Sequence, residues 1–110
     1  MSEPESLADG TLLRQVDGVA MRGGQPASGM MVLLAPDDNP VLFRRDQSDS
    51  DGTFTLGEVV PGHYRLLAVE RGWEVEWANR DVLNAFLKKS VPIEVRANDK
   101  LTRTVEVQSR

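Results

Sequence analysis

A chain of 110 residues with 13 Lys and Arg against 17 Asp and Glu has a formal net charge of -4 and no positive field for neutralising a phosphate backbone, which argues against nucleic acid as a partner. Hydrophobic residues at 40% and charged residues at 27% match a folded, soluble domain of ordinary composition. The lack of cysteine removes disulfides, thiolate metal sites and cysteine nucleophiles together, and no apolar run approaches the ~20 residues that span a bilayer, so no membrane insertion is expected.

The opening MSEPESLADG is acidic and has nothing to bury. Residues 1–11 are therefore read as a flexible tail or linker end and residues 12–108 as one domain. The first ten residues have neither the basic start nor the apolar centre of a signal peptide, which fits a cytosolic chain or a piece of a longer exported one. Beyond Leu12, apolar stretches alternate with Gly, Pro, Asn and Asp clusters about every ten residues, the rhythm of an all-β sandwich. Strands are expected over Leu13–Met21, Met30–Ala35, Val41–Gln47, Thr53–Val59, His63–Arg71, Pro92–Ala97 and Leu101–Val107. Between them, Gly23-Gly24 supplies positive φ. Asp37-Asp38-Asn39-Pro40 and Asp49-Ser50-Asp51-Gly52 supply turn-forming side chains, and Pro61-Gly62 sets a tight turn.

Alternation in steps of two puts Phe54 and Leu56; Tyr64, Leu66 and Ala68; Ile93 and Val95; and Leu101, Val105 and Val107 in the core. Met31 to Leu34 is apolar throughout, as a central strand covered on both faces or a short helix would be. One stretch breaks the rhythm. From Asn79 to Lys89 the apolar positions Val82, Leu83, Phe86 and Leu87 fall on one side of a helix, with Asn79 as N-cap and Lys88-Lys89 at the negative end. Its apolar face is expected to lie on the sandwich, since an isolated helix of about ten residues is marginal in water.

Three pieces occur in order: Gly24-Gln25-Pro26-Ala27-Ser28-Gly29 before an apolar strand, Asp49-Ser50-Asp51-Gly52-Thr53-Phe54, and Pro61-Gly62-His63-Tyr64-Arg65-Leu66. As an ordered set this resembles carboxypeptidase regulatory-like domains. The resemblance implies a seven-stranded immunoglobulin/transthyretin-like β-sandwich, here with one short helix before the last two strands. It also implies a non-catalytic accessory module, often appended to bacterial exported proteins or to metallocarboxypeptidases. Extracellular, periplasmic or outer-membrane-associated residence follows if the chain is part of such a protein.

The chemistry-bearing residues point the same way. With a single histidine, His63, no multi-histidine metal site and no His-based triad with a spare histidine can be assembled. Enzymes that share this sandwich depart from the chain: hydroxyisourate hydrolases use several histidines, and intradiol dioxygenases hold iron through paired tyrosines and histidines, whereas this chain has one Tyr and one His. Asp49-x-Asp51-Gly52 has the start of a calcium loop, but Phe54 and Val60 stand where an EF-hand needs Gly and Glu, so it reads as a turn. No catalytic residue, metal or cofactor is expected. Arg44-Arg45 and Lys88-Lys89 lie close to acidic residues and read as solvated surface.

The long connection from Gly72 to Ser90 is where recognition would reside, because a minimal sandwich does not need it. Trp73 and Trp77, with Glu74 and Glu76, could anchor a protein partner or another domain, or with Tyr64 stack on a glycan; alternatively both indoles close the core under the helix. Of the two, Trp77, leading into Val82 and Leu83, is the one expected to be buried, and Trp73, next to Gly72, the exposed one.

Overall fold

The structure is a computed structural model, and it describes residues 14–96 and 101–109. The expected tail over 1–11, the start of order at Leu12 and the strand ends at Leu13 and Ala97 lie outside those residues.

Alternating side chains and the turn residues between them set the strands. β1 (Arg14–Arg22) reverses at Gly23 and Gly24, both at positive φ, into the two-residue β2 (Gln25–Pro26), which pairs with Met21 and Arg22. Two successive positive φ values match the twist of a tight hairpin. β2 raises the strand count among the described residues to eight from the expected seven; with two residues, one of them Pro26, it has no period for a sequence to show.

β3 (Met31–Pro36) is buried on both faces, as a strand rather than a helix. The stretch expected to be strand from Val41 begins instead as a 3₁₀ turn, Pro40–Leu42, because Pro40 fixes φ at its first position and Leu42 N donates to Asn39 O at 3.0 Å. β4 (Arg44–Gln47) follows. β5 (Thr53–Val59) starts after Gly52, whose φ of 82° and tight fit against Pro26 and Ala20 exclude a side chain. β6 (Gly62–Val69) is two residues shorter at its end than expected, because Arg71 turns into the left-handed region at φ 49°. Tyr64 OH donates back to Val60 O across the β5–β6 corner, pinning that turn.

After a 3₁₀ turn, Gly72–Glu74, comes α1 (Arg80–Leu87). Asn79 caps it: its side chain accepts from the N–H of Asp81 and Val82 at 2.9 and 3.3 Å. β7 (Val91–Val95) and β8 (Leu101–Gln108) close the fold.

β1 pairs with β2, β5 and β8, the last in parallel, while β4, β3, β6 and β7 form the facing antiparallel sheet. β8 belongs to both. Its first six residues run beside β1, and its end pairs in parallel with Ala68 and Val69 of β6, beyond where β7 leaves off. Val16, Val32, Leu34, Phe54, Leu56, Leu66, Val95 and Val105 fill the space between the sheets. Tyr64 and Val107, expected in the core, are partly buried at its margin.

A second core lies on the outer face of β3 and β6. Met31, Leu33, Leu67 and Val69 meet Trp77 and Leu83 there, with Phe43, Val75, Phe86 and Leu87 at its rim. Alternation along β6 singles out Tyr64, Leu66 and Ala68; Leu67 and Val69 are buried as fully as Leu66 and Ala68 because α1 covers the other face.

Candidate functional site

The segment from Gly72 to Trp77 is held by its main chain. Glu74 N donates to Arg71 O and Val75 N to Gly72 O, at 3.0 and 3.1 Å. Gly72 lies so close to Met31 that a Cβ would sit 2.7 Å from the Met31 Cβ, and its carbonyl accepts from Trp77 Nε1 at 2.7 Å. Trp77 meets Phe43 edge-on, with centroids 6.0 Å apart, and Phe86 at 5.2 Å.

The two tryptophans therefore divide. Trp77 is 8% exposed, a part of the second core, while Trp73, on the fixed turn between, is 53% exposed and belongs to neither ring pair. Glu74 and Glu76 are exposed beside it. The indoles do not form one platform.

What lies next to Trp73 is β4, which pairs Arg45 with Leu33 and Gln47 with Met31. Period-two alternation puts Phe43, Arg45 and Gln47 on the outer face with Trp77, and Arg44 and Asp46 on the inner face toward β5. Asp46 Oδ2 accepts from Thr55 N, and Arg44 donates to Glu58 O, each at 2.9 Å. A concave space of about 260 Å³ is bordered by Met31, Arg45, Asp46, Gln47 and Trp73. The sequence reads Arg45 as solvated surface and Gln47 as the end of a strand, and nothing in it links them to Trp73. The signal available was their parity with Phe43, which the pairing with β3 turns into a shared face.

Elsewhere, carboxylates serve turns. Asp51 Oδ1 accepts from Thr53 N and Thr53 Oγ1, bonds that hold its carboxyl below the usual range. Arg96, chiefly through a hydrogen bond, lowers Glu94 in the same way. Burial pushes the Tyr64 hydroxyl up; Arg44 opposes and Asp38 adds to that shift. His63 is exposed near the start of β6. Among the described residues no three His, Cys, Asp or Glu side chains gather as they would around a metal ion. No helix among them is long and apolar enough to cross a membrane.

Two sheets closed by a shared last strand, with a helix laid over the outer face, define an immunoglobulin/transthyretin-like β-sandwich domain. Residues 15–103 match the family described as BOS complex subunit NOMO1-like, second beta sandwich domain, and the chain belongs to that family. No curated protein matches it in sequence.

Solved structures share the fold at low identity. The major pilin subunit BcpA of Bacillus cereus superimposes with a TM-score of 0.60 at 11% identity, over 86% of this chain and 29% of that one. A DUF3823 family protein from Parabacteroides merdae gives 0.57 at 19%, over 86% and 45%. GBS52, the minor pilin of Streptococcus agalactiae, gives 0.56 at 16%, over 86% and 43%. The chain thus spans less than half of each of these proteins.

Proposed function

We propose that the chain is a non-catalytic accessory module of a longer, exported protein, and that it recognises a protein partner on the surface formed by Trp73 and β4. One observation carries the reading: an indole held half-exposed by a fixed turn, beside Arg45 and Gln47, whose side chains make no hydrogen bond or ion pair among the described residues. A large aromatic on a main chain that is already fixed has only two side-chain torsions to order on binding, and so it is suited to anchoring a partner.

The family description, a second sandwich in a subunit of a complex, supports a module within an assembled chain. The shared fold with pilin subunits is compatible with export to a cell surface. The ordered motifs from Gly24 to Leu66 further support a kinship with carboxypeptidase regulatory-like domains.

A photo-crosslinking amino acid at position 73, in cells that make the protein natively, is expected to give a discrete protein adduct. An adduct at the exposed Val60 and none at 73 would overturn the surface assigned. Binding of a glycan is a second reading, favoured by the open indole face with Arg45 and Gln47 alongside it, though Trp77 cannot contribute. Affinity electrophoresis through polysaccharides, with Trp73→Ala as control, separates the two. Retardation that depends on Trp73 selects the glycan.

A further inference from the structure

We propose that β4 is a strand-addition edge, where an extended acidic segment of a protein partner pairs its main chain with Arg45 and Gln47 and lays an apolar side chain on Trp73. The inference rests on the protein-recognition reading above and specifies how the partner is held.

The hydrogen-bond alternation of the sheet carries the first step. Asp37 N bonds to His63 O on the β6 side, and Ser48 N bonds to Met30 O on the β4 side. Bonded pairs alternate along antiparallel ladders, so Met31, Leu33 and Ala35 bond toward β6, while Val32 and Leu34 bond toward Asp46 and Arg44. Arg45 and Gln47 consequently direct their N–H and C=O groups outward. Among the described residues, no side chain or other strand reaches those groups.

The second step is the shape of the edge. The concavity under Trp73 borders three consecutive residues, Arg45, Asp46 and Gln47. Side chains of consecutive residues point to opposite faces, so the space follows the main-chain edge rather than one face.

Three other edges among the described residues are blunted. Asp46 and Arg44 occupy the open edge of β5, β7 carries Pro92, which has no N–H to donate, and β2 is two residues long. β4 closes its neighbour's edge and leaves its own open.

Charge selects the occupant. In a chain of net charge -4, this edge presents Arg45, whose guanidinium is exposed without an ion pair among the described residues, while its neighbours Arg44 and Asp46 are turned inward onto Glu58 O and Thr55 N. A carboxylate on the added strand fits it as a planar, two-point acceptor. Pairing of β4 with a second copy of itself would instead crowd the arginines of both copies along one four-residue edge.

Backbone amide exchange, read residue by residue by NMR, tests the proposal. In the free protein the Arg45 and Gln47 amides are expected to exchange fast and the Asp46 amide slowly. A six-residue peptide that carries Val and Glu in turn on one face with Thr between them (Thr-Val-Thr-Glu-Thr-Val), with blocked ends and at millimolar concentration, should slow exchange of both by about tenfold, as newly formed ladder bonds do, and should shift the Trp73 indole N–H signal. Gln47→Pro, tolerated where the N–H faces outward, should abolish that response, while Gln47→Ala keeps it. If Gln47→Pro fails to fold, Arg45→Glu serves: it should reject the acidic peptide and accept its Val-Lys counterpart. Protection that appears at β7, that is equal for both peptides in the unmodified protein, or that grows with protein concentration alone would overturn the proposal, as would none at all. A protein adduct at position 73 together with any of those results would leave the protein-recognition reading standing and remove strand addition.

Discussion

Trp73 and Trp77 are four residues apart and face opposite demands. Trp77 fills the second core and donates its indole N–H to Gly72, so Trp77→Ala should lower stability by about 3–5 kcal/mol in denaturant titration. Trp73→Ala should shift it by no more than about 0.5 kcal/mol, the usual range for an exposed position. Sequence alone separated the two because Trp77 leads into Val82 and Leu83, and Leu83 shares its core. It did not reveal Arg45 or Gln47, whose relation to Trp73 exists only once β4 lies on β3.

Tyr64 gives the same scale a pH signature. Its folded pKa is raised, mainly by burial, so the neutral phenol is favoured in the fold. The resulting stability is complete below the unfolded value of about 10 and is lost as pH rises through the folded one. Ionisation also removes the donor to Val60 O. Thermal midpoints measured from about pH 8 to 11 should therefore fall more steeply for the natural protein than for Tyr64→Phe. At neutral pH the Phe variant should be weaker by about 1 kcal/mol, one hydrogen bond.

Among the elements, α1 shows how little local code suffices when packing completes it. Eight residues would not hold a helix in water; Asn79 ties down two free N–H groups, and Leu83, Phe86 and Leu87 bind it to the outer face of β3 and β6. Asn79→Ala should cost about 1 kcal/mol, and Asn79→Asp should be close to neutral, as measured by chemical denaturation. Cap and apolar spacing are both sequence-local, which is why the helix could be placed to within a residue or two. The 3₁₀ turn at Pro40 and the strand β2 could not, since an apolar Val-Leu-Phe run looks like strand and a two-residue strand shows no period.

For the whole molecule, the decisive strand is the last. Gly18 of β1 lies where a Cβ would come within 1.9 Å of Arg103 O in β8, so Gly18→Ala must push the two central strands apart. A loss of at least about 2 kcal/mol is expected, far more than a glycine substitution in an open strand gives. Alternation in the sequence identified the buried residues of β8, Leu101 and Val105, and left its neighbours unstated. β7 pairs with β6 in one sheet while β8 starts beside β1 in the other, a long-range placement that no local pattern encodes.

That pairing has a mechanical meaning. Because β1 and β8 run in the same direction, Arg14 and Gln108 lie toward opposite ends of the ladder that joins Val16–Met21 to Leu101–Glu106. Tension applied between Arg14 and Gln108 would slide the strands past each other, loading the ladder bonds together in shear rather than peeling them one at a time. A hairpin pulled at its open end gives way bond by bond; under such tension this arrangement would make rupture a single event.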